Sequence, residues 1–337
     1  MDSVKAVCLF SGGLDSILAV KVLESQGIQV LAVKFVTPFF GSEFLDDPES
    51  LIRMVKEKWD ITLQVTDITE EYLPMLRAPA HGYGKNFNPC IDCKILMVRK
   101  AGEIMRETGA KFIATGEVIG QRPMSQRRDT MRIVERDSGM EGLLLRPLSA
   151  KLLPETLPEK EGYVSRERLY DFSGRGRNRQ MELALSLGIT DYPSPAGGCV
   201  LTDPVLSKRI EYVIKTYREV EKRDIALCRI GRHFVWPDGT HFIVGRNQEE
   251  NKRLMTLSGV GESLIKVEGF PGPLGILKGQ DIPPKRFEEA AGIVARYGKA
   301  RAEQTVEVVI KETGSEEEKR LTVSPQWEIE SLGLKRL

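Results

Sequence analysis

One stretch indicates the fold of the first half of this chain: Lys5-Ala6-Val7-Cys8-Leu9-Phe10-Ser11-Gly12-Gly13-Leu14-Asp15-Ser16. Its first part is short and mostly apolar, as in a buried strand, and apolar residues at helical spacing follow over residues 14–26. A glycine-rich turn between such a strand and helix brings backbone N–H groups and the positive end of the helix dipole to one point. The sequence therefore predicts a phosphate-binding loop at residues 11–16.

Length and composition indicate an ordinary folded protein of two domains. The chain has 337 residues, of which 41% are hydrophobic and 29% charged, and its formal net charge is +1. This exceeds the usual domain length of about 100 to 200 residues. No apolar run approaches the roughly 18 residues that cross a bilayer, and no signal peptide opens the chain, so we expect a cytoplasmic protein without a membrane partner. The net charge gives no overall signal for nucleic acid.

The pattern of secondary structure predicts two different architectures. Over the first two hundred residues, short apolar strands alternate with amphipathic helices, which is typical of an α/β domain with a doubly wound parallel sheet. This alternation of strands and helices ends where Pro, Ser and Gly accumulate at residues 191–204, so we predict a domain over residues 1–204. Residues 205–337 are predicted to form a smaller α+β domain, a candidate RNA-binding or dimerisation module, which makes a homodimer possible.

The loop at residues 11–16 supplies the groups that a nucleotide needs. Gly12 and Gly13 let the backbone approach an anion closely, and the hydroxyls of Ser11 and Ser16 can donate to phosphoryl oxygens. Asp15 is a candidate ligand of Mg²⁺. The loop lacks the lysine of a Walker A motif and the glycine spacing of the dinucleotide fingerprint. The alternative is a glycine-rich turn capped by serines.

The motif Ser11-Gly12-Gly13-Leu14-Asp15-Ser16 resembles the SGGxDS signature of the PP-loop ATP pyrophosphatase superfamily at all fixed positions. The resemblance implies an adenine nucleotide α-hydrolase-like fold. It also implies cleavage of ATP between the α and β phosphates, which adenylates a carbonyl oxygen of the substrate and releases pyrophosphate. A nitrogen or sulfur nucleophile then displaces AMP. In this family the adenine lies near the end of the second strand, which here points to Lys34 and Phe35.

A second stretch narrows the resemblance. Ala114-Thr115-Gly116-Glu117, followed by Gln121 and by Ser125-Gln126, is similar to a segment of the tRNA 4-thiouridine synthases. Ligands of open α/β sheets bind at such strand ends. The resemblance therefore implies that Thr115, Gly116 and Gln121 contribute to the nucleotide site, with a turn and helix cap as the alternative.

The chain has five cysteines, an odd number that disfavours a disulfide framework. Cys90 and Cys93 form a C-x-x-C motif in a loop before a helix predicted at residues 94–108, and Cys199 lies in a loop rich in Pro, Ser and Gly. The helix dipole and Lys94 predict depressed thiol pKa values for the pair. Cys8 and Cys228 are expected to be packing residues.

The 2-thiouridylases of the same superfamily place a functional cysteine after an Asn-Pro pair, as at Cys90, and a second about a hundred residues later. The resemblance implies that Cys90, Cys93 and Cys199 meet over the nucleotide and hold a [4Fe-4S] cluster whose fourth iron accepts sulfur. Three alternatives stay open. These are a persulfide mechanism with disulfide exchange, a zinc site with His81 as fourth ligand, and cysteines that only pack.

Local basic patches are candidates for RNA contact. Arg122, Arg127 and Arg128 lie in one arginine-rich stretch, and residues 173–180 form another, with a solvated helix face as the alternative. In the second domain, the sequence around Arg246 resembles the VGRN motif of RNA-binding modules in ribosome quality-control proteins. A helix cap at Asn247 explains that motif equally well.

These observations together predict an ATP-dependent tRNA sulfurtransferase that modifies a base, uridine above all. Its partners would be tRNA and a sulfur donor, either hydrosulfide or a sulfur carrier. The 4-thiouridine type has an RNA-binding module ahead of the loop and a rhodanese-like domain after it; we expect neither in these residues, which leaves the donor and the nucleotide open. The alternatives are a PP-loop sulfur transferase or amide-forming ligase for a small molecule, and a non-catalytic RNA-binding protein.

Overall fold

The computed structural model describes residues 3–194, 199–325 and 329–337. The chain divides into two compact units, Met1–Thr202 and Asp203–Leu337, here called the N-terminal and C-terminal domains. The predicted boundary segment at residues 191–204 lies partly outside the described residues.

The N-terminal domain alternates strands and helices. The strands are β1 (Lys5–Leu9), β2 (Gln29–Val36), β3 (Leu63–Asp67), β4 (Phe112–Thr115) and β5 (Leu144–Leu145). The helices are α1 (Leu14–Glu24), α2 (Pro48–Trp59), α3 (Thr69–Arg77), α4 (Cys90–Thr108), α5 (Arg128–Ser138), α6 (Leu157–Lys160) and α7 (Asn178–Ser186).

The five strands form a parallel sheet in the order β3-β2-β1-β4-β5, which confirms the predicted doubly wound fold. β1 is central because Ala6 pairs with Val30 on one side and with Phe112 on the other. A strand buried on both faces reads as an apolar run, which explains the sequence of β1. The strand order reverses between β1 and β4, so the loops after these two strands border one crevice.

Helix α4 corrects the predicted position of two cysteines. It begins at Cys90, four residues before the predicted start at Lys94, so Cys90 and Cys93 lie in the first helical turn and not in a loop. Pro89 precedes the first helical residue, and nothing in the next four residues breaks a helix. Asp92, in the same turn, accepts hydrogen bonds from the backbone N–H groups of Ala80 and His81.

The C-terminal domain contains a seven-stranded sheet covered by helices. Its strands are β6 (Arg232–Val235), β7 (His241–Val244), β8 (Ser263–Val267), β9 (Gly275–Lys278), β10 (Val306–Glu312), β11 (Glu318–Val323) and β12 (Lys335–Arg336). Its helices are α8 (Leu206–Thr216), α9 (Lys222–Cys228), α10 (Gln248–Leu257) and α11 (Pro284–Tyr297). The order β11-β10-β8-β9-β7-β6-β12 is antiparallel throughout, as an α+β domain requires.

The sequence pattern did not predict β11, β12 and α9. β11 is a largely exposed edge strand whose first three residues are charged, and β12 has only two residues, so neither shows a clear apolar alternation. Within the described ranges, no helix is long and apolar enough to cross a membrane.

Candidate nucleotide and thiol site

A cavity of about 580 Å³ in the N-terminal domain gathers most of the residues predicted for the site. It is bordered by the loops after β1 and β4, the end of β2 and the first turn of α4. Its walls include Ser11, Gly12, Gly13, Asp15, Ser16, Lys34, Phe35, Cys90, Cys93, Thr115, Gly116, Arg122 and Cys199. Gln121 does not line the cavity, but it reaches the site through Asp15.

The loop after β1 has the shape of an anion cradle. Gly12 adopts a positive φ of 84°, and Gly13 precedes α1 without a side chain that caps the helix. The Ser16 hydroxyl donates to the Gly13 carbonyl at 2.7 Å, and the Ser11 and Ser16 hydroxyl oxygens lie 3.2 Å apart. Since a helix start without a side-chain cap leaves backbone N–H groups free, this loop can bind phosphate.

Gly116 brings the end of β4 against this loop. A Cβ atom at Gly116 would overlap the backbone carbonyl of Asp15 and the amide nitrogen of Ser16. Only glycine permits such a close approach of two backbones. The sequence resemblance implied a role for Gly116 at the nucleotide, and the structure adds this physical reason for a glycine there.

Asp15 is held in place by two side chains and keeps one oxygen unused. Its Oδ2 accepts hydrogen bonds from Gln121 Nε2 and Arg177 Nη2, each at 2.9 Å. Its Oδ1 is buried and has no hydrogen-bond partner among the described residues. A carboxylate oxygen in this position suits a hard cation such as Mg²⁺. Arg177 was predicted only as part of a basic patch, because the sequence gives no signal for its contact with Asp15.

The opposite wall carries Lys34 and an apolar surface. Lys34 Nζ donates to the Ser11 carbonyl at 2.9 Å and lies 5.5 Å from the centre of the Phe44 ring. Burial lowers the pKa of Lys34, although nearby Glu43 acts in the opposite direction. Apolar side chains of α2 also line the cavity here, and the sequence did not single them out: Leu51, Met54, Val55 and Trp59.

A buried ion-pair network lies between the nucleotide loop and the cysteines. Glu117 Oε2 accepts from Arg146 Nε at 3.2 Å and from the Thr115 hydroxyl at 3.1 Å, and Glu117 Oε1 lies 3.4 Å from Lys94 Nζ. Burial alone would raise the pKa of Glu117, but Lys94 and Arg146 together hold it below its usual value. Glu117 and Lys94 both line the cavity. The predicted site lacked them because a charged residue at one position says nothing about a partner elsewhere in the chain.

The three cysteines line one end of the same cavity, together with Tyr72 and Asn88. Asn88 Nδ2 lies 3.2 Å from Cys90 Sγ. The predicted depression of the thiol pKa is wrong for Cys93. Burial raises its pKa to about 12, because the loss of hydration outweighs a hydrogen bond with Tyr72 and the charge of Lys94.

The cysteines form a soft donor set of the kind that iron clusters or zinc use. Within the described ranges, however, no three His, Cys, Asp or Glu side chains are already placed together to hold a metal ion. His81 does not line the cavity, and its Nε2 lies 2.9 Å from Asp137 Oδ2 instead. Cys8 and Cys228 are fully buried in the cores of their domains, as expected for packing residues.

The predicted RNA-contacting arginines are distributed unevenly. Arg122 lines the cavity, Arg128 is exposed at the start of α5, and Arg127 pairs with the exposed Asp129 at 3.2 Å.

Arg246, in the C-terminal domain, forms an ion pair with Glu250. Asn247 caps α10, since its Oδ1 accepts from the Glu250 N–H at 2.9 Å. The local sequence around Arg246 therefore also serves to build the turn into α10.

Two family models match the chain, one in each domain. Residues 2–151 match the family described as thiamine biosynthesis protein (ThiI). Residues 231–331 match the NFACT protein RNA binding domain. The two matches lie in different parts of the chain and identify two distinct modules.

Curated relatives and solved structures add partial matches. A probable tRNA sulfurtransferase of Thermococcus kodakarensis is 30% identical over 149 residues, which cover 43% of this chain and 36% of that protein. The tRNA sulfurtransferase of Desulfurococcus amylolyticus is 28% identical over 174 residues, 52% of this chain and 34% of that protein. This chain thus spans about a third of the length of these relatives.

A solved 4-thiouridine synthetase in complex with RNA and bound ATP aligns with a TM-score of 0.35 and 23% identity, covering 55% of this chain and 51% of that chain. The predicted family resemblance is confirmed by the matched family model and by the named relatives. The N-terminal domain is similar to the PP-loop enzymes of the tRNA thiouridine synthase group, and the C-terminal domain is similar to the NFACT RNA-binding domain.

Proposed function

We propose that the protein is an ATP-dependent sulfurtransferase that thiolates a base of tRNA through an adenylated intermediate. One observation carries this proposal: a single cavity is lined both by the phosphate loop and by three cysteines. An amide-forming ligase needs the first feature but has no use for the second. The curated relatives named tRNA sulfurtransferases support the same reading.

In the proposed reaction, the phosphate loop binds the triphosphate of ATP. The N–H groups at the start of α1 and the hydroxyls of Ser11 and Ser16 hold the phosphates, and Asp15 holds Mg²⁺ with its unused Oδ1. The carbonyl oxygen of the base attacks the α phosphate, pyrophosphate leaves, and the base carbon becomes open to displacement by sulfur. Arg177, beside Asp15, would neutralise charge on the departing pyrophosphate.

The three cysteines would hold the group that binds the incoming sulfur. We propose that Cys90, Cys93 and Cys199 hold a [4Fe-4S] cluster, since three thiols that line one cavity suit iron and leave one iron without a protein ligand. When bound, such a cluster supplies a Lewis-acidic site for hydrosulfide. The protein's own part is to keep this end of the cavity partly closed, and the buried residues Tyr72 and Asn88, which line it beside the cysteines, would do so.

The C-terminal domain would bind the RNA. Its similarity to the NFACT RNA-binding domain supports this assignment, and the exposed Arg128 and the cavity residue Arg122 give the N-terminal domain cations for the phosphate backbone. A role of the C-terminal domain in dimerisation remains a prediction.

The test is anaerobic incubation of the purified protein with ATP, Mg²⁺, sodium sulfide and bulk tRNA. We expect AMP and pyrophosphate in equal amounts and a thiolated nucleoside in the digested tRNA, detected by mass spectrometry. Asp15→Asn should abolish all three products. Pyrophosphate release without tRNA but with a small-molecule acceptor would contradict the assignment of the substrate.

Iron and sulfide analysis of the same preparation tests the cofactor. A visible absorption band and about four irons per chain, lost in Cys90→Ala, Cys93→Ala and Cys199→Ala, would support the cluster. Thiolation by a protein without iron would exclude the cluster, would indicate direct attack of hydrosulfide on the adenylated base with AMP as the leaving group, and would leave the sulfurtransferase assignment intact.

A further inference from the structure

The loop that leads into α4 links two of the three cysteine-bearing segments. Cys90 and Cys199 are far apart in sequence, yet both line the same end of the cavity. Something must hold the second segment against the first. Hydrogen bonds of two asparagines in the loop, Asn86 and Asn88, form this link.

On the first side, Asn88 fixes Cys90 and the shape of the loop. It is only 6% exposed, and its Nδ2 lies 3.2 Å from Cys90 Sγ. Its Oδ1 accepts the N–H of Asn86 at 3.1 Å, and its carbonyl accepts the N–H of Gly84 at 3.0 Å. Because these contacts fix the backbone at residue 86, the Asn86 side chain leaves the loop in a defined direction.

On the second side, Asn86 reaches the segment that carries Cys199. Its Nδ2 donates to the Thr202 carbonyl at 2.6 Å, across 116 positions of sequence. Thr202 in turn binds Cys199 twice, since its hydroxyl and its N–H donate to the Cys199 carbonyl at 2.6 and 2.8 Å. A continuous path of hydrogen bonds therefore runs from Cys90 through both asparagines and Thr202 to the backbone of Cys199.

The chain before Cys199 is attached at a separate point. Trp59 Nε1 donates to the Asp191 carbonyl at 2.8 Å, and Lys58 pairs with the Asp191 carboxylate at 2.8 Å. These contacts fix residue 191, eight positions before the cysteine. The contact of Asn86 with Thr202 is the nearer of the two in sequence, only three residues beyond Cys199. The Cys199 thiol itself lies 4.0 Å from the Phe39 carbonyl oxygen.

We propose that Asn86 is a positioning residue that holds Cys199 beside Cys90 and Cys93 so that the three thiols can act on one group. The proposal rests on the sulfur-handling role proposed above for these thiols. Its geometric content, the proximity of Cys199 to the other two, can be measured without any turnover.

The test uses dibromobimane, which joins two thiols only when they are close, on the reduced full-length protein after a chelator has removed bound metal. Peptide mapping gives the rate of linkage of Cys199 to Cys90 or Cys93 relative to the rate of linkage between Cys90 and Cys93. This ratio should fall about fivefold in Asn86→Ala and Asn86→Asp, the loss expected for one buried hydrogen bond. A general loss of structure would also lower this ratio, since Cys90 and Cys93 lie only three positions apart and stay close even in an unfolded chain. A variant therefore counts only if its thermal unfolding midpoint matches that of the wild type.

Lys85→Ala is the matched control, because Lys85 is exposed in the same loop and should leave the ratio unchanged. Thr202→Val removes only the hydroxyl bond to Cys199 and should lower the ratio even if the Asn86 variants fold poorly. An unchanged ratio in the Asn86 and Thr202 variants would overturn the proposed positioning role of Asn86. Absence of any Cys199 linkage in the wild type would overturn the three-thiol site as well, whereas normal linkage without thiolation would contradict only the proposed function.

Discussion

Gly116 shows how a single residue without a side chain can determine a site. It brings the end of β4 into contact with the backbone of Asp15 and Ser16. This contact fixes the wall of the crevice opposite Lys34, which itself binds the Ser11 carbonyl. The phosphate loop is therefore supported from both neighbouring strands of β1.

Gly116→Ala should reduce ATP turnover at least tenfold, because the added Cβ must push the end of β4 away from the phosphate loop. We also expect a loss of about 1–3 kcal/mol in the free energy of unfolding, as for other overpacked sites. Pyrophosphate release and urea unfolding measure the two effects. Gly176→Ala is the control, since a Cβ at that position meets no atom within 4 Å. Equal activity of the two variants would show that the close contact does not matter.

At the scale of elements, the loop over residues 173–177 brings Arg177 to the proposed nucleotide site. The N–H of Gly174 donates to the Ile119 carbonyl at 2.7 Å, which fastens this loop beside the segment that follows β4. The loop ends at Arg177, which precedes α7 and reaches Asp15. A bound triphosphate would compete with Asp15 for this guanidinium.

Arg177→Ala should weaken ATP binding at least tenfold. The change removes a charge-assisted hydrogen bond and also leaves the Asp15 carboxylate less neutralised next to the phosphates. Calorimetric titration with ATP and Mg²⁺ measures the dissociation constant. Arg179→Ala should bind ATP normally, because Arg179 pairs with Asp171 and lies over the Phe172 ring. Identical affinities of both variants would exclude Arg177 from the nucleotide site.

The same elements show what sequence could and could not reveal. The phosphate loop was predictable because strand, turn and helix are contiguous and each agrees with the others. Arg177 lay in a predicted basic stretch and Glu117 in the segment that resembles the 4-thiouridine synthases, but their contacts, like that of Asn86, are with partners far away in sequence, which no local pattern shows. The thiol of Cys93 was predicted to be acidic from its helix and its neighbour Lys94, but burial, a property of the whole fold, raises its pKa.

At the scale of the whole molecule, the C-terminal domain carries a buried chain of polar groups. His233 Nε2 donates to the Ile230 carbonyl at 2.8 Å, so His233 Nδ1 accepts from His241 Nε2 at 2.9 Å. The other ring nitrogen of His241, Nδ1, accepts from the Tyr217 hydroxyl at 2.8 Å. This arrangement requires both imidazoles to be neutral. Burial lowers the pKa of His233 to about 3 and holds the pKa of His241 well below its usual value.

We therefore expect the C-terminal domain to lose stability in mild acid. In the unfolded chain the histidines bind protons as the pH falls below about 6.5, whereas in the folded domain they stay neutral. The contribution of the neutral histidines to the free energy of unfolding is therefore complete above that pH and is lost as the pH falls toward 3. The expected slope is up to about 1.4 kcal/mol per pH unit for each histidine. Hydrogen exchange of the β6 and β7 amides, corrected for intrinsic rates, measures it. His81→Gln, a change in the N-terminal domain, should not alter the slope, and pH-independent protection between pH 7 and 5 would contradict the neutral pair.

Isotope transfer can show whether ATP activates a carbonyl oxygen of an RNA base, as we propose. A tRNA transcript whose uracil carbonyl oxygens carry ¹⁸O is incubated with the protein, ATP, Mg²⁺ and sulfide, and the AMP is analysed by mass spectrometry. We expect one heavy oxygen in the AMP, in step with the thiolated nucleoside, because the base oxygen leaves on the α phosphate. AMP without heavy oxygen beside thiolated RNA would contradict adenylation of the base.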